Sequence, residues 1–228
     1  MQTLPRADAV ELVAEHIDGV RPGHPVRVAV DGITASGKTT LAHDLNDALT
    51  RLGRTTIRLS MDGFHNPRAI RYRQGRSSAR GYYEDAYDFT ALALGVLLPL
   101  GRGGSLGYRR AVIDLASDTA VDEPDVAAPS TAVLIVDGTF LQKPSVADLW
   151  DVRIFVDTSF DVARRRGVAR DAEMFGGTEK ADTAFRERYH AASQMYVEDV
   201  DPAVRADIVF VNDDIEHPSV RVRSEPIR

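Results

Sequence analysis

Cysteine is absent from all 228 residues. That excludes disulfides, thiolate nucleophiles and cysteine-ligated metal centres, and it suits a reducing cytoplasm. An excess of positive charge is also missing. Lys and Arg number 28 against 34 Asp and Glu, a formal net charge of −6 with a pI near 5.5. A nucleic-acid-binding surface is therefore disfavoured. Long apolar runs are lacking too. The longest, residues 91–100, is broken by Gly95 and Pro99 and falls well short of the ~20 residues of a membrane span. Residues 1–15 carry acids early and have no continuous apolar core, so they do not read as a signal peptide. No internal repeat or low-complexity tract is present. What remains, 43% hydrophobic and 27% charged residues, is the composition of an ordinary globular chain, and the length fits a single domain over residues 1–228.

Against these absences stands one stretch, Gly32-Ile33-Thr34-Ala35-Ser36-Gly37-Lys38-Thr39. It fits G-x-x-x-x-G-K-[ST], the phosphate-binding loop. The terminal glycines allow backbone conformations that a Cβ forbids. The loop then turns its N–H groups inward to make a concave anion site, and a following helix adds its N-terminal dipole. Lys38 supplies a point charge to the β- and γ-phosphates, and the Thr39 hydroxyl is the expected ligand of Mg²⁺. The context agrees. Residues 26–30 alternate and are β-branched, as a strand requires. Residues 38–52 place Leu41, Ala42, Leu45, Ala48, Leu49 and Leu52 at helical spacing, with Gly53 as a stop.

Other elements follow in order. Residues 6–17 form an amphipathic packing helix. A second strand over 55–59 runs into Ser60-Met61-Asp62-Gly63-Phe64, and an acid at the carboxyl end of a strand lies where open α/β sheets bind ligands. Residues 65–80 read as an irregular loop with five arginines, either a solvated basic surface or a substrate lid for anionic ligands. Residues 81–89, rich in aromatics, lead into a helix through Leu98. Residues 108–115 are expected to be a strand, with a hairpin partner near Val121, and residues 122–130 a loop. The apolar run 132–136 is typical of a central parallel strand. It ends in Asp137-Gly138, a Walker-B-like arrangement whose carboxylate orients Mg²⁺ directly or through water. Residues 152–156 are another buried strand, and 160–170 a helix bearing Arg164, Arg165, Arg166 and Arg170. Residues 171–180, with Gly176-Gly177, read as a mobile excursion. Arginines beside it fit a lid that closes on phosphate. Helix resumes over 181–200, a last strand covers 206–211, and the polar tail 218–228 is expected to fray.

Taken together these segments resemble the P-loop small-molecule kinases that include uridine kinase, phosphoribulokinase and type I pantothenate kinase. The resemblance covers roughly residues 26–212. It rests on the loop, on Met61-Asp62-Gly63-Phe64, on residues 81–89, on Ile135-Val136-Asp137-Gly138, on Ile154-Phe155-Val156-Asp157 with Arg166 and Arg170-Asp171, and on Ala206-Asp207-Ile208-Val209. It implies a three-layer P-loop NTPase-type α/β sandwich with a mostly parallel sheet, helices on both faces and a small lid near 171–179. It also implies ATP and Mg²⁺ as cofactors and a small-molecule acceptor as partner. A homo-oligomer is compatible with it; nucleic-acid and membrane partners are not expected. Lys38, Asp62 and Arg170 are the expected catalytic residues. ATP would be held by Gly32, Thr34, Ala35, Ser36, Gly37, Lys38, Thr39, Thr40 and Arg166, and the metal by Thr39 and Asp137. The acceptor would lie in the 62–89 segment against Asp62, Phe64, Tyr83 and Tyr87. The resemblance favours a nucleoside acceptor such as uridine, with a pantothenate- or sugar-type alcohol as alternative. Two features depart from the uridine kinases. Their histidine-proline pair is replaced around Tyr83-Glu84-Asp85-Ala86-Tyr87-Asp88, and the lid lacks their fuller arginine pattern. From another class, a nucleotide-binding regulatory protein without turnover fits the loop as well. A GTPase switch lacks its N-K-x-D guanine-reading segment here.

Overall fold

The computed structural model describes residues 1–223. Its frame is a sheet of seven strands: β1 (Gln2–Thr3), β2 (Val26–Gly32), β3 (Thr56–Ser60), β8 (Val133–Gly138), β9 (Val152–Asp157), β10 (Ile208–Val211) and β11 (Ser219–Val222). Between β3 and β8 lie four two-residue strands, β4 (Gly107–Tyr108), β5 (Ile113–Asp114), β6 (Thr119–Ala120) and β7 (Val126–Ala127), paired outside the sheet. The sheet order is β1-β11-β10-β9-β2-β8-β3. The five strands from β10 to β3 are parallel, and β11 and β1 close one edge antiparallel.

Every residue of β2 and of β8 is buried; β8 accordingly reads as a continuous apolar run, whereas β2, which reads as alternating, buries Arg27 by pairing it with Asp151 at 2.9 Å. Their alternation sorts side chains into two cores. Val28, Val30, Val133 and Ile135 pack with helices α1 (Arg6–Gly19) and α2 (Lys38–Arg51). Ala29, Leu134 and Val136 face the opposite core, which includes Phe64, Tyr82, Phe140 and Tyr196. That second face is covered by α4 (Ala79–Asp85), α5 (Phe89–Leu92) and α8 (Ala191–Val200), the short α3 (Arg68–Arg71) lying ahead of α4. Helices α6 (Phe160–Phe175) and α7 (Thr178–Ala184) form a hairpin around a small core of Val168, Ala181 and Phe185, and α9 (Pro202–Arg205) precedes β10. The layers are those expected of a P-loop α/β sandwich. Among the described residues, no helix is long and apolar enough to cross a membrane.

The register positions the site. Parallel pairing aligns Val30 with Asp137 and Asp137 with Ser60. The phosphate loop, Asp137 and Asp62 therefore leave the sheet at one carboxyl edge.

Several local expectations change. Helix α6 continues to Phe175, so the 171–180 excursion shrinks to Gly176-Gly177, at φ of 75° and 130°. The helix expected through Leu98 is present as α5 running into a π turn over Ala93–Leu97, with Asp88 capping α5 by accepting from the Ala91 N–H at 2.8 Å, and the aromatic segment ahead of it is itself partly helical as α4. The strand over 108–115 is replaced by the two-residue ladders, with β5 pairing β6 in the hairpin near Val121. The tail does not fray from residue 218, because β11 pairs with both β10 and β1. The part of that expectation covering residues 224–228 lies outside the described residues.

Candidate active site

The loop closes on itself around Lys38. Gly37 takes φ +98° at the start of α2, and a Cβ there would fall 2.5 Å from Asn212 Nδ2. That amide donates to the Ser36 carbonyl at 2.8 Å, so the glycine is required by a close approach as well as by its backbone. The Lys38 ammonium donates to the Ile33 carbonyl at 2.7 Å. Burial lowers its pKa to about 8, against the attraction of Asp31 and Asp137. A buried cation with its charge undercompensated is ready for phosphate. The Thr34 and Ser36 hydroxyl oxygens are buried without hydrogen-bond partners. Beside them a cavity of about 180 Å³ brings together Ala35, Gly37, Thr40, Arg166, Arg170 and Asn212, so four residues expected to hold ATP share one space with Arg170, expected to be catalytic. Arg166 donates to the Asn212 and Asp213 carbonyls, each at 2.8 Å. Arg170 is paired to Asp171 at 2.7 Å.

Thr39 donates its hydroxyl proton to Asp137 Oδ2 at 2.6 Å, and Arg58 donates to Asp137 Oδ1 at 2.8 Å. The Thr39 oxygen thus keeps its lone pairs for a cation while Asp137 fixes its orientation. This is a hard-oxygen donor set suited to Mg²⁺, which is commonly held by one or two protein oxygens together with nucleotide phosphates. Thr39 and Asp137 meet as the sequence implied.

Asp62 follows β3 in a single turn of 3-10 helix, Met61–Phe64. Its side chain is 72% exposed. His65, then Lys38 and Arg170, hold its carboxyl below the usual carboxylate range. His65 Nδ1 donates to the Ala86 carbonyl at 2.9 Å, which leaves Nε2 facing Asp62 Oδ1 at 3.6 Å. The backbone of 64–66 is tied back to 86–88 through Asn66 N–H to Ala86 and Asp88 N–H to Phe64.

The acceptor side departs from expectation at two positions. Phe64 is fully buried in the core and offers no face to a ligand. The Tyr83 hydroxyl donates to Asp199 Oδ2 at 2.6 Å, and Lys143 covers its ring at 3.7 Å. Helix α4 is the cause, because successive residues point about 100° apart on a helix, so Tyr82 rather than Tyr83 turns toward the loop. The Tyr82 hydroxyl lies 3.2 Å from that of Tyr87, whose ring sits 4.3 Å from His65. Tyr87 remains with Asp62 as expected. Asp31, Arg58, His65, Tyr82 and Asn212 are site residues that motif reading did not select. The signals were present but weak: an acid just before the loop, a cation on an otherwise apolar strand, and a histidine three residues after Asp62. Asp31 is fully buried, and burial raises its pKa despite donors from Tyr196, Gly32 and Gln142.

Residues 28–214 match the phosphoribulokinase/uridine kinase family. A uridine kinase of Leuconostoc citreum is 30% identical over 155 residues, 68% of this chain and 72% of that one. A uridine kinase of Ligilactobacillus salivarius is 26% identical over 190 residues, 83% and 86% of the two chains. Among solved structures, a possible uridine kinase from Bacillus stearothermophilus has a TM-score of 0.68 at 22% identity, covering 89% of this chain and 97% of its own. At that identity the likeness is one of fold.

Proposed function

The chain belongs to the phosphoribulokinase/uridine kinase family and is an ATP-dependent kinase; on that premise we propose that it moves the γ-phosphoryl group of ATP to a hydroxyl of a small metabolite held at Asp62. The observation that carries this reading is the parallel register that brings Asp62, directly after β3, out at the same carboxyl sheet edge as the loop bearing Lys38. The acceptor oxygen bonds to the γ-phosphorus, the bond to the β-phosphate oxygen breaks, the hydroxyl proton passes to Asp62, and ADP leaves. Phosphoryl transfer asks mainly for positioning and charge neutralisation. Lys38 balances phosphate charge, and the loop N–H groups fix the donor. Mg²⁺ beside Thr39 and Asp137 would supply further neutralisation. His65 stands beside the Asp62 carboxylate, its Nε2 3.6 Å from Oδ1. Arg166 and Arg170 border the nucleotide cavity, and the α6–α7 hairpin, turning at Gly176-Gly177, serves as the lid.

Uridine or cytidine is the acceptor that the sequence favours, uridine being the one the names of the relatives carry, followed by a pantothenate- or sugar-type alcohol. ADP release with Mg·ATP and a panel of these acceptors tests the reading. Acceptor-dependent ADP is expected. ATP binding with no turnover on any acceptor would favour the regulatory alternative.

A further inference from the structure

Five arginines lie between residues 65 and 80, and four are neutralised. Asp118 pairs with Arg68 at 3.9 Å and Arg71 at 2.6 Å, Asp85 pairs with Arg73, and Glu84 pairs with Arg80 at 2.8 Å. Arg76 meets no carboxylate among the described residues, and its guanidinium lies 5.7 Å from the centre of the Tyr72 ring. Arg188 reaches the same ring from the facing wall at 5.4 Å, and lies 5.2 Å from Tyr82 and 5.1 Å from Tyr189. It too meets no carboxylate among the described residues. Its Nη1 donates to the Tyr189 hydroxyl at 3.4 Å, while its Nε is buried with no hydrogen-bond partner.

Arg71, answered by Asp118, also lies over the Tyr72 ring at 5.1 Å; the two unanswered cations on that ring repel each other, and a buried guanidinium donor without an acceptor is costly. An arriving anion relieves both. Arg188 also stands in one of two π turns among the described residues, Phe185–His190, a distortion frequent at functional sites. A cavity of about 710 Å³ opens beside Arg76 and Arg188, with Lys180, Phe175, Glu179 and Glu187 also on its walls. The two glutamates are exposed and pair with neither arginine. Tyr82 links this end to the chemistry, through its contact with Tyr87 and from there to His65 and Asp62.

We propose that the acceptor is a small alcohol bearing a carboxylate or phosphate, with its hydroxyl at Asp62 and its anion on Arg188 and Arg76. The inference rests on the kinase reading above. An uncharged nucleoside would leave both guanidiniums unpaired. Those same guanidiniums lie over Tyr72, Tyr82 and Tyr189, three of the rings a base could stack on.

The test measures binding to the full-length protein by calorimetry, with a non-hydrolysable ATP analogue present. Matched probes differ in the anion alone: glycerate against glycerol, pantothenate against pantothenol, ribulose 5-phosphate against ribulose. Uridine is the neutral reference. At least one anionic probe should bind tenfold or more tighter than its partner and than uridine, and the identity of that pair distinguishes carboxylate from phosphate. Arg188→Gln should remove about 10- to 100-fold of that preference, the range for hydrogen bonds to charged groups. The exposed Arg76→Gln, which poses little threat to folding, should weaken it severalfold. Binding within threefold across every pair, no binding by any probe, tighter binding of uridine, or a preference unchanged in both variants would each overturn the inference. ATP affinity and ADP release, measured in parallel, report on the kinase reading separately.

Discussion

Replacing Lys38 with methionine should stabilise the protein while abolishing its activity. Lys38 is 9% exposed and its ammonium sits in a loop shaped for a partner charge. Burial pulls its pKa from 10.5 to about 8, even with Asp31 and Asp137 nearby. At about 1.4 kcal/mol per pH unit, holding this charge costs the folded state about 3 kcal/mol below pH 8. Methionine removes the charge but also the bond to the Ile33 carbonyl, which returns about 1 kcal/mol. The net gain is about 2 kcal/mol, or roughly 4–8 °C in melting temperature for a chain of this length. The sign carries a pH signature. Between pH 8 and 10.5 the unfolded lysine holds a proton that the folded one has released, so wild-type stability rises with pH across that window relative to the variant. Thermal melts of both proteins at pH 7 and pH 10 provide the assay, and the gap should be wide at pH 7 and nearly closed at pH 10. A variant melting at or below wild type at pH 7, or a gap independent of pH, would refute the argument that the loop stores an uncompensated charge.

Asp62→Asn should lower turnover by roughly 10²- to 10⁴-fold with ATP affinity intact; steady-state rates beside an ATP titration check this, and an unchanged rate removes Asp62 from the reaction. Because neighbouring His65, Lys38 and Arg170 depress the Asp62 pKa, the acid limb of the rate profile should fall below the ordinary carboxylate value of about 4; a limb at or above that value would contradict the geometry. Tyr196→Phe strips a buried donor from Asp31 and should cost about 1–3 kcal/mol of stability, measured by urea unfolding. Tyr83→Phe removes a bond to Asp199 at the surface and should cost under about 1 kcal/mol while leaving acceptor kinetics unaltered; a large rise in the Michaelis constant for the acceptor would return Tyr83 to the site.

The sheet and its loop were legible because their signals are local. The apolar run 132–136 had to be buried on both faces, the alternation over 26–30 marked a strand, and a single octet names the turn between β2 and α2. Asp62 and Asp137 were legible by the same logic, since each ends a strand and parallel strands end together. Gly138 shows how tightly this is built. A Cβ there would overlap Met61, so the glycine after Asp137 lets the turn bearing Asp62 close against β8. The misplaced residues depended on helix phase instead. Tyr82 and Tyr83 are adjacent in sequence, and whether one or the other faces the loop turns on where α4 begins. Ser78 decides that by accepting from the Gly81 N–H at 2.9 Å. Gly176-Gly177 marked a break correctly but gave no measure of its length, because α6 holds its helix up to the glycine that ends it.

The arginines were illegible for a different reason. A guanidinium's role is set by what answers its charge, and the answering carboxylates come from far along the chain. Asp118 lies about fifty residues beyond the Arg68 and Arg71 it pairs with, and Asp137 lies 79 residues beyond Arg58. The stretch from 65 to 80 looks uniformly basic as sequence, yet its charges divide into those that fix the loop and one, Arg76, that does not. Arg188 is separated from Arg76 by more than a hundred residues and stands on a helix whose register slips by a π turn. Neither spacing nor composition connects the two. Tyr72 does, by carrying both guanidiniums on one ring. Charges that the fold leaves unanswered around a cavity are better evidence about a ligand than the density of arginine along the chain.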